Sequence, residues 1–286
     1  MQNRPIPVID PEDPRVSGFR DIRERDLTGR QGLFVAEGEV VVRVLASTAS
    51  LCRPRALLVA DKRLAGLSDV IAAWPEDAPV YAAGQAVLDR IAGFPLHRGI
   101  LALGEKAAPR PLETALEGLG EDDVLVVAAG IGNHDNMGGL FRNAAAFGAR
   151  AVVLDDRCCD PFYRKAIRVS VGAVLRTPLV HGGPLEDLVE RLLAAGIEVL
   201  AFTPSASQPL SAYRRRGPVA VLLGTEGPGL PPSVIARCRP IGIPMAGGFD
   251  SLNVAATGAV ALHHLTTSTI SGRLERKARP PGETRA

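Results

Sequence analysis

The stretch Val219-Ala-Val-Leu-Leu-Gly-Thr-Glu-Gly-Pro-Gly-Leu230 sets the frame for the rest of the chain. The apolar run Val219–Leu223 stops abruptly at a loop with glycines at 224, 227 and 229 and a single carboxylate, Glu226. A short apolar run bounded by turn residues reads as a strand buried on both faces. Glycines in the loop permit positive φ and leave backbone N–H and C=O groups open to a ligand that side chains would exclude. The pattern recurs downstream, where the apolar run Ile241–Ile243 gives way to Ser251-Leu-Asn-Val-Ala255. Two such breaks point to one site assembled from two loops, with Glu226, Ser251 and Asn253 as its polar side chains.

Outward from this stretch the same alternation continues. Apolar runs at Val124–Ala129, Ala151–Leu154 and Ile197–Phe202 join the two already named, and helical candidates near 138–147, 184–195, 231–238 and 253–269 separate them. Alternation of this kind predicts an α/β fold: a mostly parallel sheet with helices on both faces and a ligand site at the carboxyl ends of the strands. The segment around 106–121 has the Pro and charge content of a linker. Ahead of it, strands at Leu33–Val35, Ala56–Val59 and Val80–Ala82 and helices at Val40–Thr48 and Gln85–Ile91 make a small α/β domain over 1–105. The larger domain spans 122–270, and 271–286 reads as a polar, basic tail.

Size and composition narrow the function. A chain of 286 residues with 46% hydrophobic and 22% charged content can build one large core or two ordinary ones, and two domains are the expectation. Its first residues lack the apolar stretch of a secretory signal, and no apolar run approaches the ~18 residues that span a bilayer, so a soluble cytoplasmic protein is expected, without a membrane partner. Cys52, Cys158, Cys159 and Cys238 show neither CxxC pairing nor metal-like spacing with the histidines, which argues for reduced structural thiols and against a metal site. Net charge is only +2, but the arginines cluster at Arg214-Arg215-Arg216, between Arg20 and Arg30, and after Arg273. Aromatic content of 4% argues against a base-stacking platform.

A further constellation lies in Asn133-His-Asp-Asn-Met-Gly-Gly-Leu-Phe-Arg-Asn-Ala-Ala-Ala-Phe-Gly148. Asn136 fits a helix N-cap, Leu140, Ala144 and Phe147 share one stripe, and Gly148 fits the stop. Arg142 falls off that stripe, one turn beyond Gly138, where a guanidinium has room to clamp a phosphate. Strand, Gly130-Ile-Gly132, helix, strand and Asp155-Asp156 also imitate a dinucleotide-binding unit. The third glycine of that fingerprint is missing, however, and Asp135 would repel a pyrophosphate. No Lys-Ser/Thr follows the glycines of Gly224–Leu230, which excludes a P-loop. Ser251 also fits a cap for a helix from Asn253, and the small residues of that helix permit close packing within the domain or across a subunit boundary.

Taken in order, these segments resemble the signature of the SpoU family of RNA ribose 2′-O-methyltransferases, within the SPOUT class. The matching residues are Asn136-x-Gly138, Arg142-x-Ala144 and Phe147-Gly148, then Leu223-Gly-Thr-Glu226-Gly-x-Gly-Leu230, then Ile243-Pro-Met245 and Ser251-Leu-Asn-Val-Ala255, with Arg168-Val-Ser-Val-Gly172 between. Phe34-Val-Ala-Glu-Gly38 and His97-Arg-Gly-Ile-Leu-Ala102 resemble the family's N-terminal substrate-binding domain. Asn133-His134 departs from the family's usual Asp-Pro. The resemblance implies a C-terminal trefoil knot, a homodimer, S-adenosylmethionine as cofactor and tRNA or rRNA as partner. It implies a cofactor site at Thr203, Gly224, Gly229, Leu230, Ile243, Leu252 and Asn253. Arg142 is then the principal catalytic residue, held by Asn136 and helped by Glu226, Ser251 and Asn253. An arginine pKa above ~12 makes deprotonation costly, whereas orienting a phosphate and stabilising an alkoxide use the same side chain with its charge intact. A non-catalytic RNA-binding protein on the same fold and a nucleotide-cofactor oxidoreductase are the alternatives.

Overall fold

The structure, a computed structural model, describes residues 4–20, 32–108, 110–247 and 249–278. It divides into two compact units. One holds the described residues up to 108 together with Asp160–Arg176; the other holds 110–159 and the described residues from Thr177 onward. The segment Asp160–Arg176 thus groups with the first unit although it lies inside 122–270 in sequence.

The first unit is built on strands β1 (Ile6–Val8), β2 (Leu33–Glu37), β3 (Arg53–Ala60), β4 (Val80–Ala83) and β5 (Ile100–Glu105), in the spatial order β1-β4-β3-β5-β2. β1 and β3 flank β4 in parallel, and β5 runs antiparallel between β3 and β2. Helices α1 (Glu39–Ala46), α2 (Ser68–Ala73) and α3 (Gln85–Ala92) accompany the sheet. The expected strands and helices are present, with β1, β5 and α2 in addition. Gly104 in β5 has a structural reason: a Cβ there would overlap the Phe34 ring. Phe34 in turn meets Phe162 at 5.2 Å between ring centroids, and Lys106 pairs with Asp160, which ties the 160–176 segment into this unit. Three consecutive residues where β2 passes into α1 each meet an arginine from elsewhere in the unit. Glu37 lies 3.8 Å from Arg164, and Glu39 accepts from Arg63 at 2.6 Å. Gly38, at φ 89°, lets Arg98 lie against its backbone, where a Cβ would come within 2.7 Å of the guanidinium.

The second unit is a six-stranded sheet of β6 (Val124–Ala128), β7 (Ala151–Asp155), β8 (Leu179–Gly183), β9 (Glu198–Phe202), β10 (Val219–Leu223) and β11 (Arg239–Ile241). Their order is β11-β9-β10-β6-β7-β8, and every neighbouring pair is parallel. Every residue of β6, β7 and β10 is buried, which is why these strands read as unbroken apolar runs. Helices α4 (Leu112–Leu116), α5 (His134–Phe147), α6 (Leu185–Ala194) and α7 (Val254–Ala278) accompany this sheet, with one further helical turn at Pro232–Ile235. From β6 the chain winds outward through β7 and β8, then crosses back to β9, so β6 and β10 are neighbours at a topological switch point. Crevices form at the carboxyl ends of strands at such a point.

Several boundaries differ from expectation. The strand placed at 241–243 lies at Arg239–Ile241, because β11 is an edge strand whose register against Leu200–Phe202 uses polar Arg239 and Pro240. β8 carries the sequence Leu-Val-His-Gly-Gly and was not legible as a strand. The helical candidate 231–238 contracts to Pro232–Ile235. α7 continues to Ala278, through the first part of the segment read as a polar tail; 279–286 lie outside the described residues, as do most residues of the Arg20–Arg30 cluster.

The small residues of α7 pack within the unit, against α5. A Cβ on Gly139 would lie 2.7 Å from Ala255 Cβ, and one on Gly258 would lie 2.9 Å from Leu140 Cδ2. Asn143 donates to Ala255 O at 2.7 Å across the same contact. Gly139→Ala is therefore expected to destabilise the protein: overpacking against a rigid Cβ costs about 1–3 kcal/mol, more than the ~1 kcal/mol gained in helix propensity. Urea unfolding checks this, and an unchanged or raised midpoint contradicts it.

Candidate active site

The loop after β10 folds back on itself. Thr225 and Gly229 form an isolated antiparallel bridge, and Gly227 and Gly229 take φ of 87° and 68°. Gly224 is required by proximity: a Cβ there would lie 2.9 Å from the backbone of Gly229 and Leu230. Leu230 is buried beneath the loop, and Glu226 is left exposed near its tip.

Asn253 stands at the start of α7. Its Oδ1 accepts from Ala255 N at 2.9 Å and Ala256 N at 3.3 Å, which makes it the helix N-cap. Ser251 does not fill that role; it is exposed two residues earlier. With the Asn253 oxygen committed to the backbone, its amide nitrogen donates to Asn136 Oδ1 at 2.8 Å. Asn136 then has only its own nitrogen to offer, and this donates to the Glu226 carboxylate. The polarity is therefore fixed along the whole path, from backbone N–H to Asn253, to Asn136, to Glu226, and one hydrogen-bonded chain joins the three sequence motifs.

Asn136 is only 5% exposed and is not the N-cap expected from sequence. Asn133 caps α5 by accepting from Asp135 N at 2.8 Å, so the helix begins at His134. Asn136 sits in the first turn, where tertiary partners claim its amide. Gly148 ends the helix at φ 69°, as expected. Arg142 is exposed on α5 and has no hydrogen bond or ion pair among the described residues. It does not line the cavity described next.

A cavity of about 960 Å³ opens at the carboxyl ends of β9, β10 and β11. Thr203, Gly224, Gly229, Leu230, Ile243, Leu252 and Asn253 all line it, as do Glu226 and Ser251. Phe202, Met245, Phe249 and Thr257 also contribute; of these, Phe202 carried a sequence signal as the last residue of an apolar run and Met245 as part of the Ile243-Pro-Met245 match, while Phe249 and Thr257 carried none. Apolar walls from Leu230, Ile243, Met245 and Phe249, with polar groups at Thr203, Glu226, Ser251 and Asn253, suit a ligand with a flat apolar part and a polar or charged part.

Other features are used internally. Asp155, the acid of the dinucleotide-like pattern, is 4% exposed and accepts from Gly130 N and Arg157 N, so it is not offered to a ribose. Arg215 pairs with Asp122 at 2.6 Å, and Arg214 donates to Ser211 O and Tyr213 O. None of the four cysteines is joined in a disulfide, and burial pushes the Cys52 thiol up to about 11. Among the described residues no cluster of His, Cys, Asp and Glu fits a metal ion, and no helix is long and apolar enough to cross a membrane.

Comparison with known proteins identifies the family. The SpoU rRNA Methylase family matches residues 123–263. An uncharacterized tRNA/rRNA methyltransferase of Mycobacterium bovis is 37% identical over 275 residues, covering 91% of each chain. One from Mycobacterium tuberculosis strain H37Rv is equally similar, at 37% over 275 residues. Among solved structures, an AdoMet-bound rRNA methyltransferase from Sinorhizobium meliloti superposes with a TM-score of 0.76, at 23% identity, covering 92% of this chain and 98% of that one. A putative RNA methyltransferase of the TrmH family from Porphyromonas gingivalis gives 0.71 at 25% identity, covering 88% and 97%. With relatives matched along nearly their full length and the family's segments joined by one hydrogen-bonded chain, the chain belongs to the SpoU family of RNA methyltransferases.

Proposed function

We propose that the protein methylates a ribose 2′-hydroxyl of tRNA or rRNA, using S-adenosylmethionine. The observation that carries this is the hydrogen-bonded chain from Asn253 through Asn136 to Glu226 at the rim of the cavity. The cavity fits the cofactor by its close backbone approach at Gly224, which leaves no space for a side chain, and by its apolar walls. Thr203, Gly224, Gly229, Leu230, Ile243, Leu252 and Asn253 would hold it. Bound there, the cofactor supplies an electrophilic methyl group on a sulfonium sulfur.

The protein's own residues must hold the nucleophile in line and manage its proton. Asn136 engages Glu226 through one carboxylate oxygen, leaving the other available to the ribose hydroxyl. Arg142, exposed and unpaired among the described residues, orients the substrate phosphate and stabilises the charge that grows on the attacking oxygen. Ser251 adds a hydroxyl beside Asn253. A homodimer, a trefoil-knotted path and a cytoplasmic location belong to the same proposal, as does RNA binding by the N-terminal unit over 1–105.

Calorimetry with S-adenosylmethionine and NAD, together with mapping of 2′-O-methyl positions in RNA from cells with and without the protein, tests the proposal. Methylation confined to bases would overturn the ribose assignment. RNA binding without methyl transfer would favour a binding protein, and NAD binding alone an oxidoreductase. For the N-terminal unit, Arg98 is exposed and without partner among the described residues. Arg98→Ala is expected to weaken RNA binding and reduce the slope of log affinity against log salt by about 1. Titrations at several salt concentrations read this directly, and an unchanged slope removes Arg98 from the interface.

A further inference from the structure

The loop Ala129–Asn133 joins β6 to α5 and so sets where Asn136 and Arg142 stand. One segment, Asp155–Cys159 at the end of β7, clasps its backbone. Gly130 N donates to both carboxylate oxygens of Asp155 at 3.0 Å, and Ile131 N donates to Cys158 Sγ at 3.3 Å. Cys159 N donates to Ile131 O at 2.8 Å, and the Cys158 thiol donates to Ala128 O at 3.3 Å. Burial, with the Asp155 charge close by, raises the Cys158 pKa, which keeps it a thiol and therefore a donor.

Two features set this clasp apart from ordinary loop closure. Asp155 is buried, and among the described residues it has no cationic partner; Gly130 N and Arg157 N serve its carboxylate instead. A buried carboxylate is costly unless such donors are held in place, so the loop and the acid constrain each other. The loop also abuts the opposite side of the site. Gly130, at φ 65°, faces Thr225, and a Cβ on it would lie 3.5 Å from Thr225 Cβ, next to Glu226. One clasp thus bears on both ends of the Asn136–Glu226 hydrogen bond.

We propose that Asp155 and Cys158 are positioning residues for methyl transfer, holding the Gly130–Ile131 loop so that Asn136 meets Glu226. The proposal rests on the methyltransferase reading. Asp155→Asn removes one of the two acceptors that Gly130 uses. Cys158→Ala removes both a donor and an acceptor, and Cys158→Ser restores both in a similar volume. Single-turnover methyl transfer would be measured at saturating cofactor and RNA, beside cofactor affinity by calorimetry, with each variant held below its own unfolding midpoint. Asp155→Asn and Cys158→Ala are expected to lose about 10- to 100-fold in rate, as for a sub-ångström misplacement of reacting groups, with cofactor affinity unchanged; Cys158→Ser is expected to recover most of the rate. Wild-type rates in the first two variants would overturn the proposal. So would a loss that merely follows weaker cofactor binding, or a serine variant no better than alanine. Absence of methyl transfer by the wild-type protein would overturn the methyltransferase reading instead, and the positioning role with it. Should Asp155→Asn fail to fold, the Cys158 pair decides alone.

Discussion

Arg142→Ala is expected to lower methyl transfer by at least about 100-fold, the scale of losing one preorganised contact to developing charge, while affinity for S-adenosylmethionine stays the same. The separation follows from geometry. Arg142 is not part of the cavity lining and makes no hydrogen bond or ion pair among the described residues, so its removal leaves both the walls and the hydrogen-bonded chain intact. Being exposed, it also carries little of the fold, and the unfolding midpoint should not move. Calorimetry beside a methyl-transfer assay separates the two quantities. Parallel loss of cofactor binding would mean that the guanidinium belongs to the cofactor site. Arg142→Lys sharpens the test: a lysine keeps the charge but not the planar fork, so a large residual defect would identify bidentate phosphate recognition as the main contribution.

Asn253 should show a compound effect, because one side chain serves as helix cap and as donor to Asn136. Asn253→Ala removes both roles and is expected to cost about 0.5–2 kcal/mol of stability through the lost cap. The same variant should lose about 10- to 100-fold in turnover, since Asn136 is then free to turn away from Glu226. Asn253→Asp separates the roles. An aspartate caps α7 as well as asparagine does but has no N–H to donate, and it sets a carboxylate against Asn136 Oδ1. Near-normal stability with poor turnover is the expected result. Wild-type turnover in the aspartate variant would remove the Asn253–Asn136 hydrogen bond from the mechanism.

Much of the larger unit could be read from sequence because its central strands are buried on both faces. Val124–Ala128 and Val219–Leu223 contain no polar residue, and apolar runs this short, bounded by turn residues, fit a strand rather than a helix. Leu179–Gly183 escaped for the opposite reason: its histidine and paired glycines have no strand period, and tertiary pairing with β7, with a bridge from Arg110 to Val180, makes it a strand. The residues that the family resemblance puts at the cofactor line one cavity although they lie far apart in sequence, because the loops leaving β9, β10 and β11 share one sheet edge. Which asparagine caps α5 was not recoverable. Asn133 and Asn136 both suit a first turn, and the choice is made by Glu226 and Asn253, distant in sequence. Asp155 was ambiguous likewise. An acid at the end of a strand resembles a ribose ligand until Gly130 is seen to occupy both of its oxygens.

Under the proposed mechanism, the one-way polarity of the Asn253–Asn136–Glu226 path makes the first turn of α7 a thermodynamic gate. When that turn frays, Asn253 loses the two backbone donors that fix its oxygen, and the amide that should face Asn136 is free to rotate. A capping energy of about 1 kcal/mol corresponds to only a several-fold preference for the closed state, so the fraction of molecules with a correctly aimed Glu226 tracks the fraction with an intact helix start. Anything that stiffens that turn raises the competent population without touching a reacting atom, and anything that loosens it lowers the rate by the same equilibrium.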